Sequence, residues 1–266
     1  MYKYLAHTIK GFEDVSEREI TSTIPDARIL EKEIKVILFE SPKTPNTIPI
    51  LQSIDDLGFF VSNNQDVLVS KSEIHKLLNI RDIISGYRKL DDSFSITISL
   101  YKTEIDDKDA LQNDFAKILS EGLHMKYTPR QHENFDIRFD VTDEQTVISI
   151  RTFSKPLFHR GYRVRSQLGA LRPSIAGAML QATVGNQKGL QIVDNLCGSG
   201  TILCESALAG HIPSGGDISE YSVETTMKNL GSIRANLAGN IKRIDATGSP
   251  WTVSYTHLTL PTLYPV

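Results

Sequence analysis

The sequence predicts an α/β protein with an α+β N-terminal part, and three observations carry that expectation. Residues 190–205 run as a short β-branched apolar segment, a turn with Gly198 and Gly200, and a helix opening at Thr201, which is the pattern of a covered parallel strand feeding a helix. Upstream, Phe94, Ile96, Ile98 and Leu100, and again Phe135, Ile137, Phe139 and Val141, alternate strictly, as a strand with one covered face does. Between them Leu111, Phe115, Ile118 and Leu119 recur at helical spacing.

The elements follow in order. Residues 2–9 form a strand and 13–23 a helix stopped by Pro25; 34–39 form a second strand before a turn with Pro42 and Pro45. Residues 48–57 read as a helix ended by Gly58, and 72–84 as another with Ile74, Leu77, Leu78 and Ile80 on one side. Residues 146–152 pair with 135–141 across the turn Thr142-Asp143-Glu144. Pro173 opens a helix over 173–183, and three strand–helix steps follow. The aromatic positions of the N-terminal part read as core.

At 266 residues, with 40% hydrophobic and 23% charged residues, the chain has room for one or two domains with a sizeable core. No signal-peptide run or membrane-length apolar stretch is present, and a cytoplasmic location is expected. Cys197 and Cys204 are the only cysteines, a count that argues against a zinc site or disulfide framework and suits a reducing compartment. Net charge is −3, yet residues 145–193 hold no acid and seven bases: Arg151, Lys155, Arg160, Arg163, Arg165, Arg172 and Lys188. A local basic strip on an acidic body makes a phosphate track, with His159 and Tyr162 as stacking surfaces for unpaired bases. A solvated linker with chance charge bias is the other reading, and Arg172, before Pro173, can instead belong to a cofactor pocket.

A turn with Gly198 and Gly200 between strand and helix brings backbone N–H groups close to a nucleotide-like ligand. A P-loop needs a lysine that is absent here. A dinucleotide fingerprint needs a third glycine where Leu203 stands, which counts against NAD or FAD without removing them. The remaining reading is S-adenosylmethionine. Asp194 closes the first strand, Asp217 follows Gly215-Gly216, and Asp245 follows Ile244. Carboxylates at the ends of successive parallel strands accept hydrogen bonds from ribose hydroxyls and an adenine amino group.

The segment Asp194-Asn195-Leu196-Cys197-Gly198-Ser199-Gly200-Thr201-Ile202, with His159-Arg160-Gly161-Tyr162-Arg163, Gly169-Ala170-Leu171-Arg172-Pro173-Ser174 and the opening Ile9-Lys10-Gly11-Phe12-Glu13-Asp14-Val15 plus Glu19, resembles the THUMP-domain RNA guanine-N2 methyltransferases. The resemblance covers about residues 1–251. It implies a ferredoxin-like domain over 1–65, a linking helix and THUMP RNA-binding domain over 66–152, a basic connector over 153–165, and a Rossmann-like class I methyltransferase domain over 166–251. It also implies that the glycine turn supports the methionine part of the cofactor, that Asp217 holds the ribose, and that Asp245 sits by the adenine. The implied cofactor residues are Asp194, Cys197, Gly198, Ser199, Gly200, Thr201, Asp217, Ile218, Asp245, Ala246 and Arg172; the RNA contacts are Arg151, Lys155, Arg160, Tyr162, Arg163 and Arg165. The implied reaction is in-line methyl transfer to N2 of a guanine, on tRNA near the acceptor stem or on ribosomal RNA, with no metal or membrane partner.

Two departures stand out. Asn195 replaces the family's usual proline, at little cost because asparagine also tolerates turn geometry. The family's Asn/Asp-Pro-Pro-Tyr/Phe loop is absent, since no two prolines are adjacent. Residues 252–266 contain no Asp, Glu, Lys or Arg and resemble translated adaptor sequence; they read as a non-native tail on a truncated, catalytically incomplete chain, the alternative being a real apolar strand. In the family's strand order the 190–193 strand pairs with a fourth strand not encoded here, so the C-terminal half is expected to be poorly stable beside a well-folded N-terminal half. An RNA-binding module without chemistry and a nucleotide-dependent oxidoreductase remain as alternatives.

Overall fold

A computed structural model describes residues 1–65, 70–129, 135–233 and 240–248. The adaptor-like tail expected over 252–266 lies outside the described residues. The chain divides into two compact units, Met1–Phe158 and His159–Val266.

The N-terminal unit runs β1 (Tyr2–Thr8), α1 (Glu13–Thr23), β2 (Arg28–Glu33), β3 (Val36–Ser41), β4 (Ile54–Asn64), α2 (Lys71–Ser85), β5 (Ser93–Leu100), α3 (Lys108–Leu123), β6 (Lys126–Tyr127), β7 (Phe135–Val141) and β8 (Thr146–Arg151). Its strands form one sheet in the order β2-β3-β1-β4-β8-β7-β5-β6. β5 runs parallel to β6 and β7, and the other pairs are antiparallel. Residues 1–65 and 93–151, read from the sequence as two α+β units, share a single sheet and a single apolar core. The core is built from the alternate positions of the central strands, with Tyr4, Phe39, Phe94, Phe135 and Phe139 fully buried. Phe115 of α3 stacks on Phe139 with ring centroids 4.2 Å apart.

Local signals set the helix ends. Ser70 and Glu73 form a capping box at the start of α2, satisfying N–H groups that have no partner within the helix. Asp107 accepts from Ala110 N–H at 2.8 Å at the start of α3, and His124 ends that helix in the left-handed region at φ 53°. One expectation fails, and one strand was not anticipated. Of the helix read over 48–57, residues 48–53 are instead irregular chain with bends and 54–57 already belong to β4, whose residues Leu57, Phe59 and Val61 face the core. β4 is fixed by strands distant in sequence, β1 and β8, and such pairing overrides local spacing. Strand β2 gives no apolar period, because it lies at the sheet edge with largely exposed residues.

The C-terminal unit contains α4 (Pro173–Val184), β9 (Gln191–Asp194), α5 (Thr201–Leu208), β10 (Ile212–Asp217), α6 (Glu220–Ser232), β11 (Ile241–Arg243) and a short 3-10 turn (Ala246–Gly248). Its strands pair in parallel in the order β11-β10-β9. Added side chains at Gly215 and Gly216 would collide with the backbone oxygens of Asp194 and Lys242, so the glycine pair lets β10 lie against both neighbours. β9 is an edge strand among the described residues, with Ile192 and Val193 only half-buried. Among the described residues no helix is long and apolar enough to cross a membrane.

Candidate cofactor site

The parallel strands β9 and β10 end side by side at Asp194 and Asp217. The turn after β9 folds back toward the end of β10. Cys197 N–H donates to Gly216 O at 2.9 Å, and Gly198 N–H donates to Asp217 Oδ2 at 3.0 Å. Asp217 Oδ1 accepts from Ser219 N–H at 2.9 Å, and Asp194 Oδ1 from Leu196 N–H at 3.1 Å. Each carboxylate oxygen retains a further lone pair for an incoming hydroxyl.

The two glycines of the turn do different work. Gly198 and Gly200 both take left-handed backbone, at φ 53° and 78°. A side chain on Gly200 would lie 2.7 Å from Thr226 of α6, so that glycine is required by packing as well as by its backbone. A side chain on Gly198 would meet only Gln167 Oε1, at 3.8 Å. Gly198 therefore presents open backbone beside two strand-end carboxylates, a shape a polar ligand can approach closely. Ile218, just past Asp217, is 61% exposed, an apolar surface of the sort that packs on a flat ring.

The electrostatics agree with an acceptor site. Burial pushes the Asp194 carboxyl above its ordinary value, the neighbouring Asp217 charge adds to this, and the Leu196 N–H opposes it. Burial also drives the thiols up, Cys197 to about 11 and Cys204 to about 12, so both are neutral thiols rather than nucleophiles. Asp245 stands apart on an exposed turn after β11, where its Oδ1 accepts from Thr247 N–H and Oγ1; those bonds lower its carboxyl. Ala246 follows it in the 3-10 turn, half-buried. Ser199 and Thr201 are buried, their hydroxyls 3.5 Å apart where α5 begins. Among the described residues, no group of three or more His, Cys, Asp or Glu side chains is placed to hold a metal.

Only part of the basic strip lies at the surface. Arg151 is buried in the N-terminal sheet, with Nε 2.8 Å from Asp56 and Nη1 2.5 Å from Asp136. Arg160, whose side chain is 7% exposed, pairs with the fully buried Glu205 of α5 at 3.0 Å. The buried Tyr162 donates its hydroxyl to the same carboxylate at 2.8 Å, and burial, then Glu205, holds its phenol protonated far above the ordinary range. Arg163 donates to Leu171 O at 2.5 Å and Thr201 Oγ1 at 3.0 Å. Buried guanidinium groups need partners, and Arg151 and Arg160 find carboxylates inside the protein. Arg165 is half-buried; Lys155 and Arg172 are exposed, Arg172 as the residue that opens α4.

Three residues that the sequence did not single out organise the site. Thr226 donates to Gly198 O at 2.9 Å. Asn229 donates to Ser199 O at 2.8 Å and to Arg165 O at 3.0 Å, and accepts from Arg165 N–H at 3.0 Å. Glu205 anchors the approach segment. Their one sequence signal is polarity on helix faces that are otherwise buried. A separate open cleft of about 630 Å³ in the N-terminal unit, bordered by Lys3, Phe60, Asn63 and Lys76, contains none of these residues.

Residues 160–247 match the UPF0020 family, described as "RMKL-like, methyltransferase domain". The chain is similar to the ribosomal RNA large subunit methyltransferase K/L of Psychromonas ingrahamii, at 26% identity over 68% of this chain and 26% of that protein. Its counterpart from a Marinomonas species is 30% identical over 38% of this chain and 14% of that protein. The chain thus spans about a quarter or less of the length of these two curated relatives. Among solved structures, a "possible methylase" from Clostridium difficile 630 superposes with a TM-score of 0.67 at 21% identity, covering 96% of this chain and 78% of that one. TrmN from Thermus thermophilus gives 0.65 at 18%, covering 92% and 74%, and SMU.472, solved as a complex with SAH, gives 0.64 at 18%, covering 91% and 74%. The likeness to these structures places the chain in their mixed α/β fold, and residues 160–247 carry the sequence pattern of an RMKL-like methyltransferase domain.

Proposed function

We propose that this chain is part of an S-adenosylmethionine-dependent RNA methyltransferase acting on guanine N2. The observation that carries the reading is the pair of strand-end carboxylates, Asp194 and Asp217, beside the open left-handed Gly198. The cofactor supplies an electrophilic methyl group on a sulfonium sulfur. With the cofactor bound, Asp217 would accept the ribose hydroxyls, Ile218 would pack on the adenine, and Asp245 would accept from its amino group. Gly198, Ser199, Gly200 and Thr201 would receive the amino-acid end, with Cys197 buried under the turn, and Ala246 would border the adenine side. The printed names of the curated relatives support an RNA substrate.

The N-terminal unit holds the RNA-binding module, of THUMP type by its resemblance. Exposed Lys155, half-buried Arg165 and exposed Arg172 are the remaining candidates for phosphate contact, with Arg172 also open to the cofactor pocket. tRNA is the acceptor by the Gly169-Ala170-Leu171-Arg172-Pro173 pattern; ribosomal RNA is the second reading, favoured by the names of the curated relatives.

The test is calorimetric titration of the 266-residue chain with S-adenosylhomocysteine. Asp217→Ala is expected to weaken binding by tenfold or more, about 1.4 kcal/mol, while leaving tRNA affinity nearly unchanged. Equal affinity in both proteins removes Asp217 from the site. Gel-shift competition between tRNA and a ribosomal RNA hairpin decides the acceptor.

A further inference from the structure

The segment leading into the C-terminal unit contains two arginines with opposite circumstances. Arg160 is neutralised by Glu205. Arg163, three residues on, is half-buried and forms no ion pair among the described residues; its two hydrogen bonds, to Leu171 O and Thr201 Oγ1, both use Nη2. Nε and Nη1 have no hydrogen-bond partner among the described residues and are not sealed in the interior. A half-buried guanidinium with two donors still open, and no carboxylate beside it, can take a carboxylate through a charge-assisted, two-point contact.

The position narrows which anion. Thr201 opens α5 directly after Gly200, and its hydroxyl, which Arg163 contacts, lies 3.5 Å from that of Ser199. The first N–H groups of an eight-residue helix point to the same place. This corner is at the turn, on the far side of Gly198 in sequence from the strand-end acid Asp194. The acceptors thus stand at the strand ends and the cationic donor stands at the helix start. We propose that Arg163 is a cofactor-binding residue that pairs with the α-carboxylate of S-adenosylmethionine, rather than an RNA contact. The inference rests on the cofactor reading above and adds the end of the ligand that Arg163 recognises. Arg–carboxylate pairs are among the stronger and most directional contacts in proteins.

The experiment compares two ligands by calorimetry on the 266-residue chain and its Arg163→Gln and Arg163→Lys variants. One ligand is S-adenosylhomocysteine and the other its decarboxylated analogue, which keeps the adenosine, thioether and amine. The unsubstituted chain is expected to prefer the carboxylated ligand by tenfold or more. Arg163→Gln should bind both about equally, with affinity for the decarboxylated ligand unchanged, and Arg163→Lys should recover part of the preference. A preference retained in Arg163→Gln overturns the proposal. So does an equal loss for both ligands in both variants, which marks Arg163 as a structural residue. Failure of the unsubstituted chain to bind either ligand overturns the cofactor reading itself, a result distinct from the other two.

Discussion

The two units are held together by different means. Among the described residues of the N-terminal unit thirty buried apolar residues form one core, including five fully buried aromatic rings. Among the described residues of the C-terminal unit the corresponding cluster has seven members, including Tyr162, Cys197 and Cys204. What it lacks in apolar burial it supplements with buried polar joints: Arg160 and Tyr162 on Glu205, and Arg165 and Ser199 on Asn229. Apolar packing is non-directional and tolerant of the detailed arrangement. Polar joints are directional, and they fail abruptly when one partner is removed. A unit that must hold a turn open toward a ligand gains from the second kind, because hydrogen bonds fix Gly198 O and Ser199 O without filling the space beside Gly198.

The strongest way to break this contrast is Glu205→Ala. It strands a buried guanidinium and a phenol at once, and a loss of about 3–5 kcal/mol is expected. Scanning calorimetry should show the transition of the C-terminal unit moving down or vanishing while that of the N-terminal unit stays in place. A single transition shifted as a whole would show that the units unfold together and that the contrast is not thermodynamic.

A smaller effect tests a polar joint on the other side of the comparison. In the N-terminal unit Asp140 meets His7 at 2.7 Å and Arg138 at 3.0 Å. Burial alone would raise its carboxyl; the His7 and Arg138 charges and hydrogen bonds outweigh that and hold it well below the carboxylate range. A carboxyl depressed on folding contributes stability above its unfolded value near 4 and loses it as pH falls below that value. Asp140→Asn should therefore cost about 1–3 kcal/mol at pH 7, with the difference from the unsubstituted chain shrinking in chemical denaturation at pH 3. A constant difference across that window would exclude a charge origin.

The smallest effect sharpens the comparison at the site. Asp194 is an acid whose carboxyl is raised by burial and by Asp217, so its ionised form is unfavourable in the folded chain. Asp194→Asn keeps an acceptor for Leu196 N–H and removes the charge. The C-terminal unit should gain about 0.5 kcal/mol, seen as a small rise in its melting temperature, while affinity for S-adenosylhomocysteine falls. Stabilisation with unchanged affinity would take Asp194 out of the binding role.

How far the sequence could be read depended on whether the partner was nearby in the chain. Helix α1 over Glu13–Thr23, the alternating strands β5 and β7, and the strand–turn–helix around Gly198 and Gly200 were legible, because backbone conformation and side-chain period are fixed within a few residues. β4 was misread: the apolar spacing over 48–57 fits a helix, but its actual partners β1 and β8 lie far away in the chain. The arginines were misjudged for the same reason. Arg151 finds Asp56 across 95 positions, and Arg160 finds Glu205 across 45, so two of the bases in the run that looked like a phosphate track are spent on buried acids.

The sequence by itself determined that a glycine turn follows a parallel strand, that Asp194 and Asp217 stand at strand ends, and that Thr201 opens a helix. These depend on φ preferences and on periods of two and 3.6 residues, which act locally. Only the tertiary structure decided which charges are spent on one another and which remain for a ligand. A guanidinium has the same sequence signature whether or not a carboxylate awaits it, and only folding brings Glu205 to Arg160 while leaving Arg163 at the edge of the turn.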